Sequence, residues 1–212
     1  MCNAALIGIF AFSAPCAANA ETVTIAALGD SLTAGYGLPP EEGLVPQLEA
    51  WLRGAGEDVR LINAGVSGDT TAGGLSRLDW TLTPEVQALI VTLGGNDMLR
   101  GVPPSTARAN LEAILQGAAQ RDLPVLLVAM SAPGNYGPDY KAEFDAIYPD
   151  LAQAYGTLLF SDFFAPLRAD ADDPAAVQRL MQPDGIHPGA EAVGLIVAAL
   201  GPRVRELIAL AQ

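Results

Sequence analysis

Val23-Thr24-Ile25-Ala26-Ala27-Leu28, running straight into Gly29-Asp30-Ser31-Leu32, decides how the chain is read. The first part lacks the polar alternation of a strand with one face in water, so it reads as a strand covered by helices on both sides. The second part is a tight glycine turn into a helix start. Such a turn exposes the Ser31 hydroxyl near the positive end of a helix dipole, where a nucleophile is favoured. A serine in that place equally serves as a plain helix N-cap.

Further runs have the same character: Val59–Asn63, Ala88–Leu93, Val125–Met130 and, more weakly, Thr157–Phe160. Helical stripes separate them. Leu44, Val45, Leu48, Trp51 and Leu52 recur at helical spacing, with Gly54 and Gly56 as stop signals. Ala107, Leu111, Ile114, Leu115 and Ala118 form a second stripe, entered through Pro103-Pro104-Ser105. A third extends over Pro138–Tyr155 and the last over Gly189–Leu200. Gly201-Pro202 is expected to break that helix before a short final one bearing Val204, Leu207 and Ile208. Asp170-Ala171-Asp172-Asp173-Pro174 reads as a solvated loop. Strands alternating with helices are the pattern of an α/β domain built on a parallel sheet. A chain of 212 residues suits one such domain.

Hydrophobic residues make up 50% of the chain and charged ones 17%, a globular composition and not a disordered one. Lys and Arg number 11 against 24 Asp and Glu, a formal net charge of −13. That balance argues against nucleic acid or an anionic membrane surface as a tightly held partner.

Residues 1–20 carry no charge, include the apolar run Ala4–Phe12 and end in Ala18-Asn19-Ala20, a small-x-small cleavage site. They read as a secretory signal peptide, although no Lys or Arg precedes the apolar run. An exported domain of residues 21–212 is expected. Both cysteines, Cys2 and Cys16, lie in the leader, so the exported domain holds no disulfide. Beyond the leader the longest fully apolar stretch, about Val193–Gly201, falls far short of a span, so no stable membrane insertion is expected.

The polar motifs follow strand ends, where open α/β sheets bind ligands. Ser31 follows the first strand, Ser67-Gly68-Asp69 the second and Gly94-Gly95-Asn96-Asp97 the third. His187, the single histidine, closes Asp184-Gly185-Ile186-His187. An imidazole works as general base when a carboxylate fixes its tautomer. Residues three apart meet on one helical turn, so Asp184 and His187 form a candidate pair, though a lone Asp-x-x-His also arises by chance. The Asn96 amide donates a hydrogen bond without a proton to lose, which suits an oxyanion. Gly68, having no Cβ, lets backbone approach a substrate oxygen. Ordinary turn chemistry also puts Gly, Asn and Asp at such points.

Taken in order, these four blocks resemble the SGNH (GDSL) hydrolase superfamily. Over residues 23–200 the chain is similar to its bacterial periplasmic thioesterase, lysophospholipase and arylesterase branch. Asn63–Thr71, Met98–Gly101, and Asn135-Tyr136-Gly137 with Tyr140, Phe144 and Tyr148 extend the likeness. The resemblance implies a three-layer α/β/α sandwich, flavodoxin-like, with a central parallel sheet of about five strands. It implies Ser31 as nucleophile, His187 as general base and then acid, and Asp184 as the residue that orients it. The N–H groups of Ser31 and Gly68 and the Asn96 amide would form the oxyanion hole, with Asp30 and Asp97 as loop braces. It further implies a small-molecule ester or thioester substrate, no metal or organic cofactor, and residence in a bacterial periplasm or outside the cell. Gly134 and the loop Ala169–Val177 depart from the family's pattern, which bears on the substrate rim and not on the chemistry.

Rival readings are weaker. The α/β-hydrolase elbow Gly-x-Ser-x-Gly fails in Gly65-Val66-Ser67-Gly68-Asp69 at its last position. A metal-dependent phosphoesterase draws on several histidines, and this chain has one. A carbohydrate O-deacetylase of the same superfamily is the main alternative, ahead of a non-catalytic binding protein that kept the fold.

Overall fold

Five strands carry the architecture: β1 (Val23–Gly29), β2 (Val59–Gly65), β3 (Ala88–Thr92), β4 (Val125–Val128) and β5 (Leu158–Phe160). In the computed structural model, which describes residues 22–168 and 174–212, they pair in parallel in the order β2-β1-β3-β4-β5. That is the flavodoxin-like order expected from the resemblance. β1 lies between two neighbours and is buried along its whole length, as its unbroken apolar run requires. Residues 1–20, which the sequence reads as a leader, lie outside the described residues.

The helices are α1 (Ser31–Ala34), α2 (Leu44–Gly54), α3 (Thr71–Ser76), α4 (Leu78–Thr81), α5 (Gly95–Leu99), α6 (Pro104–Ala119), α7 (Pro138–Tyr155), α8 (Pro174–Leu180) and α9 (Ala190–Ala211). Right-handed crossovers send the helix between β1 and β2 to one face and the later crossover helices to the other. Accordingly α2 packs against α9, while α6 packs against α3 and α7. The long stripes become buried faces. Leu44, Val45, Leu48 and Leu52 of α2 face inward, as do Ala107, Leu111, Ile114, Leu115 and Ala118 of α6. Each fully buried Leu or Ile contributes roughly 1.5–3 kcal/mol of hydrophobic stabilisation.

Two expectations need correction. Gly201-Pro202 does not end the last helix, because α9 continues through Pro202 to Ala211. Ile196, Val197 and Leu200 before the proline and Val204, Leu207 and Ile208 after it are all buried on one face. That continuous burial outweighs the loss of one N–H. Gly201 acts in packing instead of termination. A Cβ there would stand 2.4 Å from the Trp51 ring, so its absence lets α9 close onto α2. The second correction concerns the presumed loop at 169–177. Its latter part, from Pro174, is the start of α8, while Ala169–Asp173 lies outside the described residues.

Gly201→Val should overpack the α2–α9 contact by about 1–3 kcal/mol. At this chain length that lowers the melting temperature by roughly 2–12 °C. Gly54→Ala, in open space at the end of α2, should raise it slightly, through a gain in stability of up to about 1 kcal/mol. Thermal unfolding of the two variants checks both signs; a Gly201→Val protein melting at the native temperature would refute the packing role.

Candidate active site

The site grows from the carboxyl end of β1. Gly29 is crowded: a Cβ would lie 2.0 Å from Thr33 Oγ1 and 2.9 Å from the Thr92 carbonyl. The next residue, Asp30, caps α1, its Oδ1 accepting from Leu32 N–H at 3.0 Å. Asp30 therefore takes the capping role that the sequence left open for Ser31. The serine becomes the first residue of a single-turn helix, and its hydroxyl is spared for another partner.

That partner is His187. Ser31 Oγ lies 2.8 Å from His187 Nε2, and His187 Nδ1 lies 2.7 Å from Asp184 Oδ2. Asp184 is held down to about 2, first by the backbone N–H of His187, then by the imidazole and by the Ile186 N–H. It is thus a carboxylate and accepts, so Nδ1 carries the proton and Nε2 is left to accept from the serine hydroxyl.

Asp184 and His187 meet, but not on a helical turn. Asp184 Oδ1 takes the N–H groups of Ile186 and His187 at 2.9 and 3.0 Å, folding the loop around one carboxylate. Gly185, at φ 67, supplies the left-handed step that this closure needs. Gln182 anchors the loop, donating Nε2 to the Tyr36 carbonyl at 2.8 Å and to the Pro188 carbonyl at 3.0 Å. The Tyr36 ring sits 4.6 Å from the imidazole, centroid to centroid.

The second wall is the turn after β2. Asp69 N–H donates to the Val66 carbonyl at 3.0 Å, and Gly68 takes φ 85 within that turn. Two groups from α5 and its cap grip successive carbonyls of the turn: Asn96 Nδ2 reaches Asp69 O at 2.9 Å, and Arg100 Nη2 reaches Gly68 O at 2.7 Å. Asn96 Nδ2 also makes a longer contact, 3.3 Å, with Asp30 Oδ2. Asp97 points the other way and is buried, accepting from Thr71 N–H at 2.8 Å and Thr71 Oγ1 at 2.6 Å. It ties α5 to α3.

Behind α5 stands a column of aromatic rings, Tyr136, Tyr140, Phe144 and Tyr148, with neighbouring centroids 5.0, 6.1 and 5.9 Å apart. At its foot Tyr148 donates to the Leu93 carbonyl at 2.9 Å. A Cβ on Gly94 would stand 2.2 Å from that hydroxyl, so this turn admits glycine alone.

Ser31, Gly68, Asn96 and His187 border one cavity of about 560 Å³. Its remaining wall is largely apolar, with Met98, Leu99, Met130, Phe164, Met181 and Ile186 among the side chains. The structure thus brings Ser31, Gly68, Asn96 and His187 to one rim, with Asp184 behind the imidazole, between β1 and β3, where the strand order reverses. Sequence reasoning passed over Arg77, Arg100 and Gln182. Arg77 donates to Asp69 and to the carbonyls of Ala64 and Gly29.

Hydroxyl, imidazole and carboxylate in line, opening on an apolar cavity, form the arrangement of a serine hydrolase. Residues 27–193 match the model of the GDSL-like lipase/acylhydrolase family, and the chain belongs to that family. It is 38% identical over 191 residues to the esterase TesA of Pseudomonas aeruginosa, a match covering 90% of this chain and 92% of that one. It is 34% identical over 194 residues to thioesterase 1/protease 1/lysophospholipase L1 of Escherichia coli K12, covering 91% and 87%. Among solved structures, the SGNH-hydrolase family esterase AlinE4 aligns with a TM-score of 0.71 at 46% identity, covering 89% of this chain and 98% of that one.

Asp30, only 2% exposed, is pushed up to about 6 by burial, against the lowering effects of Leu32 N–H, His187 and Asn96. A carboxyl raised from 3.8 to about 6 on folding favours the native state fully below about pH 4, and that contribution is lost as pH rises through about 6. Asp30→Asn removes the titration. Between pH 4 and pH 7 the stability of the native protein relative to this variant should fall, by at most about 3 kcal/mol. Urea unfolding of both proteins across that range measures it, and a constant difference would exclude the buried acid as the source.

Proposed function

We propose that the chain hydrolyses carboxylic esters and acyl thioesters of apolar acids through an acyl-enzyme on Ser31. The observation that carries this reading is the short relay from Ser31 Oγ to His187 Nε2 and from His187 Nδ1 to Asp184, at the mouth of an apolar cavity. Ser31 Oγ attacks the carbonyl carbon as Nε2 takes its proton. The resulting oxyanion is met by the N–H groups of Ser31 and Gly68 and by Asn96 Nδ2. Its natural point of entry at Asn96 is the long 3.3 Å contact to Asp30, the weaker of the two that the amide makes. When the tetrahedral adduct collapses, the imidazolium gives its proton to the leaving oxygen or sulfur. A water, deprotonated by the same imidazole, then attacks the acyl carbon, and the Ser31 oxygen leaves and regains a proton.

The cavity supports acyl chains over an acetylated sugar, since an acetyl group needs little apolar wall and a sugar needs polar partners. Exposed Tyr36, Leu99 and Ile186 at its mouth, with Val66 beside Ser67, extend the apolar character outward. Residues 1–20 are read as a cleaved leader, which puts the enzyme outside the cytoplasm, in a bacterial periplasm or beyond. No helix among the described residues is long and apolar enough to cross a membrane.

One experiment addresses nucleophile and leader together. Expressed with its own leader in a bacterium and treated with a fluorophosphonate, the exported protein should carry one adduct, on Ser31, on a chain that starts at Glu21. Ser31→Ala should be unlabelled and inactive across p-nitrophenyl esters, acyl thioesters and acetylated sugars. A label on Ser67, or a chain starting at Met1, would reject the corresponding half.

Asn96 and Asp97 separate chemistry from bracing. Asn96→Ala should lower kcat by roughly 10²–10³ with KM little changed, because an oxyanion bond strengthens in the transition state. Asp97→Ala should act through the α3–α5 tie, lowering the melting temperature and reducing rate only as folded protein is lost. Steady-state kinetics and melting curves on the two variants distinguish them; near-normal kcat in Asn96→Ala would leave only the backbone donors.

A further inference from the structure

Of the 11 basic residues in this acidic chain, nine pair with a carboxylate, and Arg179 has a partner of its own. Arg100 is different. Among the described residues it meets no acid, and its side chain bonds instead from Nη2 to the Gly68 carbonyl. That bond fixes where the cation stands. Gly68 borders the cavity, and a Cβ on Gly68 would lie 3.6 Å from Arg100 Nη2. The guanidinium is exposed, so its remaining donors face solvent beside the mouth.

We propose that Arg100 is a specificity-determining residue that selects substrates whose leaving group carries a phosphate. The cavity wall is mostly apolar and the guanidinium that lines it, Arg168, is paired with Asp162, so an anion recognised at the mouth is assigned to the alcohol or thiol half of the substrate. A net charge of −13 repels such substrates at long range. One cation without an acid partner, held in place by a neutral carbonyl, reverses that repulsion locally and offers planar paired donors to a phosphate. The proposal rests on the esterase and thioesterase reading of the site. Two sources share this chemistry: the phosphates of an acyl-coenzyme A and the phosphate of a lysophospholipid.

Matched substrate pairs test it: octanoyl-coenzyme A against octanoyl-N-acetylcysteamine, and monooctanoylglycerol phosphate against monooctanoylglycerol. The quantity read is the ratio of kcat/KM for the phosphate-bearing member over its neutral partner. Arg100→Gln should lower that ratio about fivefold or more, through KM, and Arg100→Lys should restore part of it. In the native protein the ratio should shrink as salt is raised. A fall in one pair alone identifies the source of the phosphate. Any loss from a slackened Gly68 turn acts on both members of a pair and cancels in the ratio. Equal losses throughout, with an unchanged ratio, would overturn the proposal and leave Arg100 a brace. Failure of the underlying reading has its own signature, hydrolysis of the neutral substrates that survives Ser31→Ala.

Discussion

Arg77 holds the rim of the sheet together. Its Nη2 reaches the Gly29 carbonyl at 2.8 Å, its Nη1 the Ala64 carbonyl at 2.7 Å, and its Nε the Asp69 carboxylate at 2.7 Å. The first acceptor is the last residue of β1, where the carbonyl also takes Val66 N–H, the second is next to last in β2, and the third belongs to the turn that follows. Backbone carbonyls at such ends need partners when they are out of water. A planar guanidinium meets both with one rigid group. Ser31 lies two residues past one of these carbonyls and Gly68 four past the other, so this side chain braces the two walls that the β1–β2 pairing sets side by side.

From that rim the polar groups pass the constraint inward. Asp69, fixed by Arg77, presents its carbonyl to Asn96, and Asn96 touches Asp30, which in turn caps the helix bearing Ser31. Two buried acids occupy this region with opposite environments. Asp97 has two strong donors from Thr71. Asp30 has a backbone donor and one long amide contact, and burial dominates its titration. The less satisfied acid is the one beside Ser31. Polar groups at reactive sites are commonly held in such unrelaxed surroundings.

The fold was legible because its signals are local. Unalternating apolar runs mark β1, β3 and β4, and stripes at helical spacing mark α2, α6 and α7 without help from the rest of the chain. The exceptions are instructive. Gly201-Pro202 reads as a stop by local propensity, yet burial on both sides carries α9 through it. Asp184 and His187 were paired by helical spacing, whereas an aspartate-centred loop joins them. At the site, residues that announce themselves by type, such as a lone histidine or glycine beside serine, are gathered at one rim. Arg77, Arg100 and Gln182 were missed because each acts on a carbonyl far away in sequence, Gly29, Gly68 and Tyr36 respectively. Nothing in the neighbourhood of a basic or amide residue tells which distant carbonyl it will find.

The order in which the chain is made gives the relay between Ser31 and His187 a temporal meaning. Those partners are 156 positions apart, and all five strands lie between them or before them. All five strands are therefore in hand, with the serine at the tip of the first, before the single histidine of the sequence is reached. The Ser31–His187 contact consequently reports that the segment beyond the last strand has closed back onto the sheet, and not merely that the sheet has formed.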